Sequence, residues 1–452
     1  MHLILQPCLA MPGKKVLIIT YFFPPCNLTA GQRSLGWAKY LKEFGYEPVI
    51  IARNWEQIIN GPEDMHHASG EKIITEENSD YTVHYLPFKG NLRDRLYSKY
   101  GKTRFTLMRK ALSLFELIGH HFFTSLIPFH NLHRFADRYI QENSDVEAIV
   151  VSGNPFELFR FGYLLHKKHQ VPWIADYRDD WNTSNVNESR GPMDTLLRRL
   201  ERRSEKKYCG TAACITSVSK HYAEKISTFT GVKGHVVQNG FFPDDYTAYQ
   251  NLDAFDEFTL LYNGMLYPSQ QIEVVLEAFK KLVDRHPNQR HRIKIRFPGI
   301  LFLKEVALRV EKLMQGYEDV LWMSPRIPRS EVLTLQAKSH LLLMVSHRDA
   351  KGIPSSKIYE YLGLRKPVLV CPGDGDVLDE TFGPYALGFI ANTSEDALKI
   401  LEQHFLSFLK GQDNLANLDT SYAEQFTREQ QTQVLAEILD EVIKKPPITS
   451  GL

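Results

Sequence analysis

The chain has 452 residues, and at roughly 100–200 residues per domain this length indicates two domains. Hydrophobic residues make up 43% of the sequence and charged residues 24%, which is typical of an ordinary globular protein with enough apolar material for two cores. The formal net charge is +1, which argues against a general polyanion-binding protein. Any affinity for nucleic acid or for a membrane must therefore come from a local patch.

The cysteines and the amino-terminal residues bear on the compartment. Five scattered cysteines without a Cys-x-x-Cys pair indicate a reducing environment, with neither a disulfide framework nor a zinc site. The first ten residues are apolar but lack a basic start, so they make a poor signal peptide, and the sequence leaves open whether translation starts at Met1 or Met11. No apolar run approaches the ~18–20 residues needed to span a bilayer. We therefore expect a cytoplasmic protein.

Strand-like apolar runs alternate with helical patterns from the start of the chain. Residues 15–20 predict a buried strand, Gly31 opens a helix that Gly45 stops, and residues 48–52 predict the next strand. This is the strand–turn–helix–strand unit of a parallel sheet. Further strands of the first half are predicted at residues 82–86, 148–152, 173–176, 214–217 and 235–238.

The same alternation restarts after a polar, acidic stretch at residues 243–257, which we interpret as a linker. The sequence therefore predicts an N-terminal Rossmann-like domain over residues 1–242 and a C-terminal one over residues 258–420. A last helix follows, and residues 421–452 are predicted to cross back as that helix and a tail. Strands of the second half are predicted at residues 258–262, 293–297, 320–323, 341–345 and 367–370.

The segment 352–363, between two of these strands, carries the strongest chemical signal. Apolar residues at helical spacing predict a helix there, and Lys357 and Glu360 share one side near its start. Free N–H groups and the positive dipole end of a helix suit a phosphate, and Lys357 adds a full charge. Glu360 can accept two hydrogen bonds from a ribose diol. The segment predicts a nucleotide-diphosphate site, although a solvated helix acid and a surface lysine remain the plain alternatives.

Short motifs in a consistent order extend this signal from about residue 15 to residue 372. They are Tyr21-Phe-Phe-Pro-Pro25 with Gly31 and Arg33, Gly153-Asn-Pro-Phe156, Asp176-Tyr-Arg-Asp-Asp-Trp181, Thr216-Ser-Val-Ser219, Gln238-Asn-Gly240 and the segment 352–363. In these motifs the chain resembles retaining glycosyltransferases of family four. The resemblance implies an α/β protein of the GT-B fold, in which two Rossmann-like domains with parallel sheets face across a cleft.

The resemblance also implies an activity. The C-terminal domain would bind a nucleotide-diphosphate sugar such as a UDP- or GDP-sugar, and the N-terminal domain would bind a glycan or lipid-linked acceptor. Transfer would retain the anomeric configuration and would require no metal or other cofactor. Polysaccharide or glycoconjugate biosynthesis is the expected setting. The alternatives are a GT-B sugar-nucleotide epimerase or phosphorylase, and a degenerate GT-B protein that only binds a partner.

Two departures from the family pattern concern the donor site. Glu360 matches the second acid of the family's Glu-x7-Glu motif, but Gly352 occupies the place of the first. Either a backbone N–H or a nearby polar side chain contacts the transferred sugar instead, or the sugar selectivity is different. Ser355 and Ser356 are predicted to form the phosphate-binding turn. Residues 263–271 lack the Arg and Lys usual in the family, which leaves N–H donors at Asn263 and Gly264 and charge from Lys357, Arg33 or Lys351.

Candidate residues of the N-terminal half follow predicted strands. Gly31 permits close approach of a phosphate or sugar, and Arg33 offers a bidentate fork, although a structural turn explains them equally well. Asp179, in the cluster of Asp176, Arg178 and Asp180, is predicted to orient an acceptor hydroxyl or take its proton. The alternative is an Arg178–Asp ion pair that braces the loop.

Three further residues and one long stretch complete the candidates. Gly299, Arg326 and Ile327 are expected to bracket the nucleotide base, with ordinary turns as the alternative. Residues 89–123 interleave basic and aromatic side chains, which predicts peripheral contact with an anionic membrane or a lipid-linked acceptor. A solvated loop and helix is the alternative. The charge balance argues against a nucleic-acid partner, and the absence of Gly-x-Gly-x-x-Gly after the first strand argues against a dehydrogenase.

Overall fold

The computed structural model describes residues 13–56, 59, 62–101, 103–182, 192–347, 351–412 and 418–444. These residues form two compact units. Unit 1 comprises the chain up to Gln238 together with the residues from Arg428 onward, and unit 2 comprises Asn239–Thr427. Cys8 lies outside the described residues, and the four cysteines at positions 26, 209, 214 and 371 are free and buried.

Unit 1 is built on an eight-stranded sheet. Its strand order is β3-β4-β2-β1-β5-β6-β7-β8, and all neighbours are parallel except β3 and β4. The chain moves outward from β1 on one side and returns to β5 beside β1, so the topological switch point lies between these two strands. The strands are β1 (Lys14–Ile19), β2 (Tyr46–Arg53), β3 (Ile74–Glu77), β4 (Thr82–Leu86), β5 (Val146–Ser152), β6 (Trp173–Tyr177), β7 (Cys214–Ser217) and β8 (Gly234–Val236).

Helices cover both faces of this sheet, because alternate residues of its strands are apolar on both sides. Leu17 and Ile19 of β1 pack in one core, whereas Val16 and Ile18 pack in the other. The helices are α1 (Ala30–Tyr40), α2 (Leu92–Tyr100), α3 (Thr106–Phe122), α4 (His130–Glu142), α5 (Leu158–His169), α6 (Pro192–Cys209) and α7 (Lys220–Thr230).

Unit 2 contains a six-stranded sheet in which every neighbouring pair is parallel. The strand order is β11-β10-β9-β12-β13-β14, so the switch point lies between β9 and β12. Two cores again cover the two faces, with Leu260 in one and Leu261 in the other. The strands are β9 (Phe258–Leu261), β10 (Ile293–Phe297), β11 (Leu321–Met323), β12 (Leu341–Met344), β13 (Val368–Val370) and β14 (Gly388–Ile390).

The helices of unit 2 follow its strands, and one last helix belongs to unit 1. Leu435 and Leu439 of that last helix are fully buried in the unit 1 core that also contains Trp37 of α1. The helices of unit 2 are α8 (Asp244–Thr247), α9 (Ile272–Arg285), α10 (Lys304–Leu313), α11 (Arg329–Lys338), α12 (Ser356–Gly363), α13 (Val377–Phe382) and α14 (Ser394–Leu409), and the last helix is α15 (Arg428–Lys444).

The expected α/β class with two parallel sheets is confirmed, and each strand expected from the apolar runs has a counterpart. Two strands were not expected, β3 and β14. The stretch interpreted as a linker contains the short helix α8, and the predicted last helix starts later than expected, because Ser421–Phe426 is a 3-10 helix that precedes α15. Within the described residues, no helix has the length and apolar character needed to cross a membrane.

Candidate functional site

A cavity of about 400 Å³ lies in unit 2 where β9 and β12 end. These strands are neighbours at the switch point of the sheet, which is where open parallel sheets bind ligands, beyond the carboxyl ends of their strands. Several segments line the cavity: residues 262–267 after β9, residues 344–347 at the end of β12, and the start of α12. The described lining is Tyr262, Asn263, Gly264, Met265, Tyr267, Gln270, Met344, Val345, Ser346, His347, Ile353, Ser355, Ser356, Lys357, Glu360, Asp374 and Leu378.

The start of α12 is fixed by its cap and by its buried side. Ser355 is the N-cap, and its hydroxyl accepts a weak hydrogen bond from the backbone N–H of Lys357 at 3.4 Å. Tyr361 and Leu362 are fully buried and anchor the helix in the core. Gly352 has φ +77°, in the left-handed region, and its N–H donates to the carboxylate of Asp376. Gly352 itself does not line the cavity.

Lys357 is the only Lys or Arg among the described residues that line the cavity. Its ammonium lies 3.4 Å from the hydroxyl of Tyr262 and 4.8 Å from the centre of that ring. Burial lowers the pKa of Lys357, and the nearby Glu360 and Tyr267 oppose that shift. The cavity therefore contains a poorly solvated cation without a hydrogen-bonded anionic partner among the described side chains. An anionic ligand would supply that partner.

Glu360 lines the same cavity one helical turn after Lys357. Among the described residues, Gln336 donates the hydrogen bond to its carboxylate, with 3.3 Å between Nε2 and Oε2. Gln336 is completely buried on α11, so it fixes the position of the carboxylate. The remaining acceptor capacity of the carboxylate suits a pair of hydroxyl groups.

The loop after β9 lies close to α12 and to the turn after β10, and glycines leave room for both contacts. Gly264 and Gly299 have φ +84° and +85°, and a Cβ on Gly299 would lie 3.6 Å from the Cα of Gly264. A Cβ on Gly264 would in turn lie 3.6 Å from Cε of Lys357. The N–H of Gly264 donates to the carbonyl of Pro298 at 2.9 Å. That N–H is therefore occupied, contrary to its expected use as a ligand donor.

Sequence reasoning missed Gln270 and His347, which join the loop after β9 to the end of β12. The amide of Gln270 donates to the carbonyl of Val345 at 2.7 Å and accepts from the Tyr262 hydroxyl at 3.2 Å. Nδ1 of His347 lies 2.8 Å from the Ser269 hydroxyl, and burial and Lys357 lower the pKa of His347. Position alone could have found them, because both lie within ten residues of the ends of the two strands at the switch point.

The residues expected at the nucleotide base lie in two touching turns beside the cavity. Gly299 donates from its N–H to the Ser324 hydroxyl at 3.4 Å, which joins the turn after β10 to the turn after β11. Arg326 lies over the ring of Phe302 at 3.7 Å. Arg326 and Ile327 do not line the cavity, and Lys351 is exposed outside it. Their role at a base stays a prediction.

Arg33 is buried in unit 1 with every guanidinium nitrogen in use. Its Nη2 and Nε donate to the carboxylate of Asp176 at 2.7 and 3.1 Å, and Nη1 donates to the carbonyls of Val237 and Gln238. Asp176 is completely buried and also accepts from the hydroxyls of Ser152 and Thr216. This network makes Arg33 a structural residue that joins α1 to the sheet. Gly31 lies at the start of α1, where a Cβ would touch the backbone of Phe23 at 3.4 Å.

Asp179 follows β6, which is the neighbour of β5 in the sheet of unit 1. Its Oδ2 accepts from Nδ2 of Asn154 at 3.0 Å and from Nη2 of Arg178 at 2.9 Å. The side chain of Asp179 is 52% exposed, so its carboxylate can still reach a ligand. Asp180 has turned away and pairs with Lys225 at 3.2 Å. The structure thus brings Asn154, Arg178 and Asp179 together.

Comparison with known proteins supports the fold and nothing finer. No protein-family model matches the sequence, and no curated protein matches it. Among solved structures, similar chains are a glycosyltransferase from Rickettsia africae (15% identity, TM-score 0.59, covering 96% of this chain and 100% of that one) and a sucrose-phosphate synthase from Thermosynechococcus elongatus (14%, 0.54, 95% and 98%). A third is Anabaena HepE, solved with UDP and glucose (13%, 0.55, 95% and 100%). At these identities the likeness shows that the chain has the GT-B fold.

The structure also bears on metal binding. Among the described residues, no three His, Cys, Asp or Glu side chains are grouped so that they could hold a metal ion.

Proposed function

We propose that this protein is a glycosyltransferase that moves a sugar from a UDP- or GDP-sugar to a glycan or lipid-linked acceptor, with retention and without a required metal. The observation that carries the proposal is that Lys357 and Glu360 line one cavity at the switch point of unit 2. The UDP and glucose named for the Anabaena structure support the choice of donor class. The motif order described above supports membership of family four.

The diphosphate of the donor would lie against the start of α12. Helix N–H groups and the ammonium of Lys357 both favour a dianionic group there. Three residues along a helix correspond to a rise of about 4.5 Å, so the carboxylate of Glu360 lies about one turn further on. This spacing suits a ribose whose 5′ oxygen bears the diphosphate and whose hydroxyls donate to Glu360. The buried amide of Gln336 would hold that carboxylate in place.

The difficult part of sugar transfer is departure of the nucleoside diphosphate as an anion. Lys357 would stabilise the charge that develops on the diphosphate oxygen as the glycosidic bond breaks. In a front-face route, the leaving oxygen takes the proton of the acceptor hydroxyl, so no protein nucleophile is required. Asp179, held by Asn154 and Arg178, would orient the acceptor hydroxyl.

A second candidate function is a nucleotide-binding protein without transferase activity. Two observations favour it: Gly352 replaces the first acid of the family motif, and Lys357 alone supplies Lys or Arg charge among the described lining residues. An epimerase or phosphorylase is a further alternative. Release of nucleoside diphosphate that depends on an acceptor separates a transferase from an epimerase.

The test begins with binding and continues with turnover. UDP and GDP are titrated calorimetrically, and nucleotide sugars are then incubated with mixed glycan and lipid-linked acceptors. We expect one nucleotide to bind, and acceptor-dependent release of the diphosphate that Glu360→Gln reduces at subsaturating donor. Glu380→Gln, an exposed acid on α13, is the matched control. Binding without release across the donor set would favour the binding protein, and no binding of either nucleotide would refute the site.

A further inference from the structure

Helix α3 exposes an unusually apolar face in unit 1. Leu107 is 84% exposed, Phe115 is 64% exposed and Phe122 is 62% exposed. Met108 and Ala111 are exposed as well. Large apolar side chains that are exposed singly need no explanation, but a contiguous set on one element indicates an interaction surface.

These residues share one side of the helix. Leu107, Ala111, Phe115 and Phe122 follow one another at spacings of four, four and seven residues, which places them in one stripe along α3. We call Leu107, Met108, Ala111, Phe115 and Phe122 the α3 apolar face. The opposite side of the helix is anchored: Glu116 pairs with Arg93 of α2 at 3.6 Å, and Nε2 of His120 lies 3.0 Å from the carbonyl oxygen of Leu126. The apolar face is therefore presented by a helix that is fixed to its unit.

Among the described side chains, the exposed charges of α3 and of two helices that contact it, α2 and α6, are all positive. On α2, on α3 and on residues 195–209 of α6, every exposed charged side chain that the structure describes is a Lys or Arg. The described acids of these helices are buried or half-buried, and Asp94 and Glu116 pair with Arg93. The exposed cations are Arg95, Lys99, Lys110, Arg199, Arg202, Arg203, Lys206 and Lys207, with Arg104 between α2 and α3.

We propose that the α3 apolar face, together with these cations, binds the surface of an anionic lipid bilayer. An interfacial helix buries Leu and Phe side chains at the boundary between headgroups and acyl chains, while neighbouring Lys and Arg contact anionic headgroups. The overall net charge of the chain is +1, so this concentration of like charge is local. This local positive charge matches an anionic bilayer, whose negatively charged surface extends beyond the whole patch. The core of a protein–protein interface, in contrast, is depleted in charged residues taken together.

This proposal is independent of the sugar-transfer proposal, because binding to vesicles needs no turnover. Purified protein is sedimented with phosphatidylcholine vesicles and with vesicles that contain 30–40% phosphatidylglycerol, a range chosen to give the strong surface charge that basic patches sense. We expect binding to the anionic vesicles and weak binding to the neutral ones. Added salt should release the protein, because the headgroup attraction is screened.

Two pairs of double variants separate the apolar and the electrostatic parts. Leu107→Gln/Phe115→Gln should weaken binding to anionic vesicles roughly tenfold or more, because it removes apolar side chains that insert. Arg199→Gln/Arg203→Gln should weaken it by a similar factor, at about a few-fold to tenfold for each charge lost near the surface. The controls are Leu301→Gln/Leu308→Gln and Lys399→Gln/Lys410→Gln, which change exposed residues of unit 2 in the same way.

The variants alter exposed side chains, so thermal melting should remain close to that of the wild type. Wild-type protein that fails to bind anionic vesicles would overturn the proposal. Equal loss of binding in the control variants would also overturn it. Self-association that the change at Leu107 and Phe115 abolishes, without any vesicle binding, would identify the face as an interface between copies of the chain.

Discussion

Replacing Lys357 by methionine tests whether this lysine serves the fold or a ligand. The ammonium is hydrogen-bonded to the Tyr262 hydroxyl at 3.4 Å, and burial lowers the pKa of Lys357 below its usual 10.5. A lowered lysine pKa means that the folded state disfavours the charged form. In the absence of ligand, the methionine variant should therefore be at least as stable as the wild type at pH 7, with a gain of about 1.4 kcal/mol for each unit of pKa depression.

The sign of the pH dependence follows from the same shift. The destabilising effect of the charged lysine is fully present below its folded-state pKa and disappears as the pH rises towards 10.5. Urea unfolding without ligand, compared between wild type and variant from pH 7 upward, should show the difference shrinking with pH.

Turnover should change in the opposite direction. Loss of one donor aimed at developing charge lowers kcat roughly 10²–10³-fold in comparable sites. Release of nucleoside diphosphate in a steady-state assay gives this number. Lys399→Met, at a lysine that is 77% exposed, is the control. A variant that loses stability and keeps its kcat would show that Lys357 is structural, and the reasoning would be wrong.

Three further predictions concern other parts of the molecule. Glu360→Gln should weaken nucleotide affinity roughly tenfold, the value of a hydrogen bond to a charged group. A 2′,3′-dideoxy nucleotide should bind the wild type and this variant equally, and calorimetry measures both affinities. If the variant still prefers the ribose nucleotide over the dideoxy nucleotide as strongly as the wild type does, the assignment is contradicted. Arg33→Met should destabilise unit 1 by about 3–5 kcal/mol, because it leaves Asp176 buried and unpaired. Changing both Arg33 and Asp176 to apolar residues should recover much of this loss. Urea unfolding measures both, and a destabilisation by Arg33→Met below about 1 kcal/mol would argue against the buried pair. Burial raises the pKa of Glu205 to about 7. The wild type should therefore lose about 3 kcal/mol of unfolding free energy between pH 4.5 and 7 relative to Glu205→Gln. Parallel profiles of unfolding free energy against pH for the two proteins would refute this.

The sequence was sufficient for features that depend on local pattern. Apolar runs predicted the buried strands of both sheets, because strands covered on both faces are nearly continuous in hydrophobic residues. The missed strand β3 is exposed along its whole length and contains two glutamates, so it carries no such signal. The missed strand β14 has three residues and begins at a glycine. Both lie at an edge of a sheet.

The residues of the candidate site also differ in whether the sequence alone could bring them together. Lys357 and Glu360 could be placed together because they are three residues apart on one helix. The contact of Gln270 with Val345 joins residues 75 positions apart, and the ion pair of Arg33 with Asp176 joins residues 143 apart. Such contacts depend on which strands become neighbours, and the residue types alone do not specify that.

The position of α15 has a consequence for synthesis of the chain. Both ends of unit 2 lie together, since the N–H of Phe241 donates to the carbonyl of Phe426 at 3.1 Å. Unit 2 is thus an insertion into unit 1, whose core needs Leu435 and Leu439. A ribosome makes these two leucines only after the whole of unit 2, so unit 1 is begun first but its core is completed last. Until then, the apolar groove that receives α15, beside Trp37, remains open to solvent or to a chaperone.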